Sequence, residues 1–179
     1  MRTVTVALSL VAAGFLAGNA HAQERPDFTG EWTIAAEPSG QQPGPRQGAP
    51  PAEFGSGWGR TITVEQDAHA LTVLWPFYTR GDLQPPLRFV YSLDGSSTTN
   101  TVLMGRGMQD QVSRVSWEGA DLVITTVHEF EHPQNGQRTT HEVTRTLSLE
   151  SPTSLVVEAT ISGALGGPPT TSRAVYTRQ

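Results

Sequence analysis

The chain has 179 residues, a formal net charge of −5 and no cysteine. The absence of cysteine excludes a disulfide framework, a thiolate nucleophile and a Cys-ligated metal. All 12 basic residues are arginine, which excludes a Schiff-base lysine, and the absence of a basic patch argues against a nucleic-acid partner.

The N-terminal segment 1–22 has the pattern of a secretory signal peptide. A basic Met1-Arg2 start is followed by an apolar stretch at 4–16 and by the small-x-small cleavage site Ala20-His21-Ala22. We therefore expect a periplasmic or secreted protein whose mature part, 23–179, is a single domain. Nothing later is apolar enough to span a membrane, so we expect no membrane insertion after signal cleavage.

The mature chain begins with a predicted strand at 28–34, which is followed by a Pro/Gly-rich segment at 37–59. Proline and glycine break helices and strands, and the segment has few aliphatic side chains. Its composition predicts a flexible loop within the domain.

From residue 60 onward the apolar residues alternate with polar ones. Ile62 and Val64 are one such pair, and Asp94-Gly95 and Asn135-Gly136 are hairpin-turn signals between such runs. The pattern predicts an all-β fold with about 8 to 10 strands and no helix after the signal peptide. Short sequential links favour an antiparallel up-and-down meander, closed or nearly closed as a barrel, because closure removes exposed strand edges.

The triplet Gly30-Glu31-Trp32 resembles the Gly-x-Trp signature of the lipocalin-like (calycin) barrels. Together with 28–32, the runs 91–95 and 117–124 are similar to secreted bacterial β-barrel proteins of largely uncharacterised function. The resemblance implies that Trp32 packs across the closed end of the barrel. It also implies structural roles for Gly30 and for an arginine of the last strand, Arg178 or Arg173, stacked on that indole. The Pro/Gly-rich segment and the lack of a C-terminal helix depart from the lipocalin pattern.

The run from His128 to His132 matches His-Glu-x-x-His, the metalloprotease motif. That motif needs a helix, whereas 122–127 is β-branched and Pro133 would end a helix. In a strand the two histidines would lie roughly 13 Å apart, too far to share one zinc ion. We therefore expect no metal site, with His128, His132 and His141 as weak candidates.

The same segment predicts a polar face inside the barrel. A two-residue turn at Asn135-Gly136 would place Phe130 opposite His141, His128 opposite Val143 and Thr126 opposite Arg145. We expect an interior Trp117 and five residues of this face to bind a ligand. The five residues are His128, Phe130, His132, His141 and Arg145. The alternative is a solvated hairpin tip beyond the barrel rim. If the face points inward, ligand binding should depend on pH near 6.5, the ordinary range of histidine.

These observations favour an exported binding protein that holds a small apolar or amphipathic ligand in the barrel. One alternative is a barrel enzyme that uses the His128/His132/His141/Arg145 end for acid–base or metal chemistry. Another is a non-catalytic envelope interaction protein with a filled core. The sequence assigns no catalytic residue, indicates no cofactor, and leaves the ligand and the oligomeric state open.

Overall fold

The computed structural model describes residues 25–35, 57–76, 85–104, 107–131, 138–162 and 168–179. Their regular structure is entirely β, and the strands are β1 (Gly30–Ile34), β2 (Thr61–Gln66), β3 (Ala70–Trp75), β4 (Leu87–Ser92), β5 (Thr98–Met104), β6 (Gly107–Glu118), β7 (Asp121–Glu131), β8 (Arg138–Ser151), β9 (Ser154–Ile161) and β10 (Thr170–Arg178). The described residues contain no helix of the length and hydropathy needed to cross a membrane. The predicted signal peptide at 1–22 lies outside them.

The ten strands form one antiparallel sheet in the order β4-β3-β2-β1-β10-β9-β8-β7-β6-β5. Strands adjacent in sequence pair with each other, except β4 and β5, and β10 returns to pair with β1. The sheet curls until its two edge strands, β4 and β5, lie side by side. The result is a nearly closed up-and-down barrel, which confirms the predicted fold class and is compatible with a lipocalin-like barrel.

Alternation of side chains explains why these segments form the barrel wall. In β2, Ile62 and Val64 are fully buried, whereas Thr61 and Glu65 are exposed. Successive strand residues point to opposite faces, so each strand contributes one apolar row to the interior.

The chain preceding β1 closes one end of the barrel. Phe28 is fully buried, and its main-chain N–H donates to Oε1 of Gln66 (3.0 Å). The Gln66 side chain in turn donates to the carbonyl of Pro26 (3.1 Å), which holds this segment against β2. The indole N–H of Trp32 donates to the carbonyl of Phe28 (2.9 Å). Trp32 therefore lies under the closed end with its polar atom satisfied.

The last residues of the Pro/Gly-rich segment belong to the packed barrel. Trp58 is 1% exposed, and Gly57 and Gly59 on either side of it have φ angles of +77° and +80°. The phenol of Tyr176 donates to the carbonyl of Gly59 (2.7 Å). Residues 57–59 of the segment predicted to be flexible are therefore packed, and its remaining part, 37–56, lies outside the described residues.

The turn predicted at Asp94-Gly95 connects β4 to β5. Gly95 has a φ of +84°, and the Asp94 carboxylate accepts hydrogen bonds from the Ser92 hydroxyl and the Ser96 N–H, both 2.7 Å. These bonds lower the pKa of Asp94 to about 2. The turn is ordered, yet β4 and β5 share no main-chain ladder in the described residues.

Candidate functional site

Four neighbouring strands of the barrel wall, β5 to β8, carry polar side chains on their inner face. The pairing of these strands places Asn100, Gln111, His128 and His141 in one row across them. The next row toward the closed end contains Thr98, Ser113, Thr126 and Val143. We call six of these residues together with Arg145 the polar wall, and leave out the apolar Val143 and Asn100, whose side-chain amide is bonded to Val90 of β4. Because rows in a sheet are only about 7 Å apart along the strands, the groups form one contiguous surface.

The opposite wall of the barrel is apolar. The order of strands in the sheet places β2 and β3 across the interior from β7 and β8. The buried inner side chains of β2 and β3, and Phe89 of the adjoining β4, are apolar: Ile62, Val64, Leu71, Val73 and Phe89. The interior is therefore two-sided, with hydrogen-bonding groups facing a hydrocarbon surface.

His128 lies at the centre of the polar wall. It pairs with Gln111 on β6 and with His141 on β8, while its chain neighbours Val127 and Glu129 are exposed on the outer face. The pKa of His128 is lowered to about 4, first by burial and then by the positive charges of Arg145 and His141. The side chain is therefore neutral near pH 7.

Two polar atoms of this wall are buried without a hydrogen-bond partner. They are Nε2 of His128 and the hydroxyl oxygen of Thr98. The neighbouring hydroxyls of Ser113 and Thr126 satisfy each other at 2.9 Å. Leaving a buried polar atom unpaired costs about 1–3 kcal/mol, so unpaired atoms in an interior call for a functional explanation.

Arg145 follows Val143 by two residues on β8 and lies one row nearer the closed end of the barrel. It is 6% exposed, pairs with Ile124 and Ala159, and places its guanidinium carbon 5.3 Å from the centre of the Trp58 ring. Burial lowers the pKa of Arg145, and the phenols of Tyr91 and Tyr176 act in the opposite sense. An arginine keeps its charge even so, and the polar wall therefore contains a fixed cation.

Trp58 occupies part of the interior beside Arg145. Its ring centre is 6.1 Å from that of Tyr91 on β4, and the two planes are tilted by 51°. Gly57 fits this arrangement, because its φ of +77° disfavours a side chain and a Cβ there would lie 2.5 Å from a guanidinium nitrogen of Arg145. Trp58 thus packs between the polar wall and β4.

The predicted register of β7 and β8 is wrong by two residues. The structure pairs His128 with His141, Thr126 with Val143 and Ile124 with Arg145. The ladder reaches Glu131 opposite Arg138, which is not the register of a two-residue turn at Asn135-Gly136. A shift by two keeps every side chain on its predicted face, because the side-chain period of a strand is two.

The structure brings together some of the predicted site residues and separates others. His128, His141 and Arg145 share the polar wall. Phe130 belongs to β7 opposite Thr139, but its side chain lies outside the description, as does the whole of His132.

Trp117 lies at the closed end, away from the histidines. It pairs with Leu122, six residues before His128 on β7, which is a separation of about 20 Å along an extended strand. Its ring stacks on Phe28 at 6.2 Å with planes 15° apart, and the guanidinium carbon of Arg25 lies 5.1 Å from its centre. Trp117 therefore belongs to the end that Trp32 closes rather than to the polar wall.

Metal binding at the polar wall has two nitrogen ligands at most among the described residues, from His128 and His141. No group of three or more His, Asp, Glu or Cys side chains is close enough there to hold a metal ion. The charge of Arg145 beside His128 also opposes a cation. The low pKa of His128 makes it a weak general base at neutral pH, so the groups of the wall are better suited to hydrogen bonding than to proton abstraction.

Sequence reasoning missed six residues of this region: Thr98, Asn100, Gln111, Ser113, Thr126 and Trp58. The five polar ones lie on the same strand faces as buried residues of β5, β6 and β7, and this pattern points to a site only once the pairing of these strands is known. The Pro/Gly-rich composition around Trp58 predicts a flexible loop and gives no indication that this side chain is buried.

No family model, no curated protein and no solved structure matches this chain.

Proposed function

We propose that this is an exported binding protein whose barrel interior holds a small amphipathic molecule. The support is the two-sided interior, in which the polar wall faces the apolar side chains of β2 and β3. Such an interior matches a ligand with hydrogen-bonding groups along one side or at one end and hydrocarbon elsewhere. The resemblance to secreted bacterial lipocalin-like barrels supports the same proposal.

The observation that carries the proposal is the unpaired Nε2 of His128. A neutral imidazole in the interior has one donor and one acceptor nitrogen. A ligand hydroxyl can pair with either nitrogen, a ligand carboxylate or carbonyl oxygen with the donor, and a ligand amide N–H with the acceptor. The Thr98 hydroxyl is a second unpaired atom on the same wall. The fixed charge of Arg145 favours a ligand whose polar end is acidic or a strong acceptor.

Binding is tested with anilinonaphthalene sulfonate, an amphipathic dye whose emission rises in an apolar cavity. We expect the folded wild-type chain to bind it with a stoichiometry of one. The affinity for the dye should fall by about fivefold or more in His128→Leu. This substitution removes the hydrogen bond between the imidazole and the charged dye without enlarging the side chain. The control is His69→Leu, on the exposed β2–β3 turn. Wild-type protein that binds no dye, or variants with equal affinity, would contradict the proposal.

Native mass spectrometry of protein isolated from the periplasm identifies the natural ligand. The expected result is a folded species heavier than the chain by the mass of one small molecule, lost on gentle collisional activation. The same sample tests export, because the N-terminal residue should be Gln23. A chain that retains Met1 and stays in the cytoplasm would overturn the export part of the proposal.

A further inference from the structure

The two edge strands of the barrel meet at a seam that one side chain holds together. We call the boundary between β4 and β5 the seam. Within the described residues every other pair of neighbouring strands is joined by a main-chain ladder, but this pair is not. At the seam the Val90 N–H donates to Oδ1 of Asn100 (2.7 Å), and Nδ2 of Asn100 donates to the Val90 carbonyl (2.9 Å). The amide of Asn100 thus takes the place of a residue in a missing ladder.

This bridge is the weakest junction between strands in the described part of the wall. β4 is joined to β3 by six residue pairs and β6 to β7 by eight, whereas the described residues of β4 and β5 are joined by the two hydrogen bonds of Asn100. Opening a ladder would break several main-chain hydrogen bonds at once. Releasing the seam requires rotation of one side chain, and solvent can then satisfy the atoms it leaves.

The position of Asn100 connects the seam to the polar wall. Asn100 is the first member of the row that continues through Gln111 to His128. Thr98, whose hydroxyl is buried and unpaired, is two residues away on the same face of β5. A molecule that passes between β4 and β5 at Asn100 would therefore meet the unpaired atoms of the wall first.

The β4–β5 turn provides a hinge for such an opening. Asp94 accepts hydrogen bonds from Ser92 and Ser96, so the strands stay connected at the turn. Beyond Val90 and Asn100 the described parts of the two strands are free of mutual ladder bonds. The two strands can therefore move apart beyond Val90 and Asn100 while they stay connected at the turn.

We propose that a ligand reaches the barrel interior laterally through the seam, and that Asn100 is the latch that closes it. The proposal adds an access route to the proposed binding function. It predicts that the latch controls how fast a ligand enters and leaves, and has little effect on how tightly the ligand is held, because the latch is closed in the free and in the bound protein.

The test measures association and dissociation rates of anilinonaphthalene sulfonate by stopped-flow fluorescence. Asn100→Leu keeps the size of the side chain and removes both bonds to Val90. Both rates should rise together by about tenfold, with the Kd unchanged within about twofold. Asn100→Asp keeps the acceptor and loses the donor, so its rates should lie between the two. The control is Thr101→Val, which removes the 2.6 Å hydrogen bond from Thr101 to Asp110 on the outer face and leaves the seam intact.

A second measurement needs no ligand and can be made on the wild-type chain. Because the Val90 N–H points into the seam, the amides of Phe89 and Tyr91 point into the ladder with β3. The Val90 amide should exchange with deuterium at least about tenfold faster than that of Tyr91, and Asn100→Leu should speed up Val90 alone.

Three outcomes would overturn the proposal. Unchanged dye rates in Asn100→Leu with binding intact would place the access route elsewhere. Equal protection of Val90 and Tyr91 in the wild-type chain would show that the seam does not open locally. Wild-type protein that takes up no dye would reject the interior binding site itself, and the lateral route with it. The first two outcomes leave the binding proposal standing, so the two failures are distinguishable.

Discussion

The guanidinium of Arg178 lies over the ring of Trp32, with its central carbon 4.6 Å from the ring centre. Gly30 lies beside this stack, and a Cβ there would be in van der Waals contact, at 3.4 Å, with the guanidinium and with the indole nitrogen. Gly30 also has a φ of +151°, which a side chain disfavours. First and last strands pair here, with Trp32 opposite Arg178. The stack therefore connects the first and the last strand at the closed end of the barrel.

Replacement of Trp32 tests how much this closed end contributes to stability. Trp32 is fully buried and its indole N–H is bonded to Phe28, so Trp32→Ala leaves a large cavity. We expect it to lower the free energy of unfolding by about 3–5 kcal/mol in urea titrations. Trp32→Phe, which keeps much of the volume, should cost less. A loss below about 1 kcal/mol for Trp32→Ala would contradict the closing role.

Arg178 and Arg173 form a matched pair of last-strand arginines. Arg178→Met removes the charge over a buried ring and should cost about 1–2 kcal/mol. Arg173 instead contacts Glu150 at 2.6 Å, with both side chains about half exposed at 47% and 54%. Arg173→Met should cost less than about 1 kcal/mol, as surface ion pairs do.

Salt separates the two arginines further. At about 1 M salt the Debye length is only about 3 Å, so the Arg173 effect should vanish and most of the Arg178 effect should remain. Equal losses with equal salt dependence would show that Arg178 does not stack on Trp32 in solution.

Trp58 and Arg145 should be energetically coupled. Trp58 is buried against the Arg145 guanidinium, so a double-mutant cycle with Trp58→Leu and Arg145→Met isolates their contact. We expect a coupling free energy of about 1–2 kcal/mol, because the pair is desolvated. A cycle between Trp58 and the distant Arg173 serves as the control and should be additive. Additivity in the first cycle would show that Trp58 does not pack on Arg145.

The sequence predicts which side chains face inward better than it predicts which ones meet. Alternation places His128, His141 and Arg145 on the inner face whatever the register, because a shift by two residues preserves the face. The residues they pair with depend on the number of residues in the connection between β7 and β8. The Asn135-Gly136 turn signal predicts two, and the observed register requires more. Asn100 shows the other limit. Its role depends on the absence of a ladder between β4 and β5, and a turn signal at Asp94-Gly95 predicts the opposite.

The pKa of His128 sets the pH range in which the polar wall changes. Folding lowers that pKa from 6.5 to about 4, through burial first and then through the charges of Arg145 and His141. Between these two values the unfolded chain binds a proton at His128 and the folded chain does not. The contribution of His128 to stability is therefore fully present above pH 6.5 and decreases as the pH falls toward about 4. Any effect of His128 on ligand affinity should likewise appear near pH 4 rather than near 6.5.

The measurements are an NMR titration of the imidazole resonances, extended below the pKa of about 4 expected for His128, and urea unfolding at several pH values from 4.5 to 7.5. The resonance that disappears in His128→Leu should titrate near pH 4. Unfolding free energy should fall less steeply with decreasing pH in His128→Leu than in the wild type. His69→Leu, on the exposed turn, should keep the wild-type slope. A His128 resonance that titrates near 6.5 would mean that the imidazole is solvated in solution, and the inward orientation of the polar wall would then be wrong.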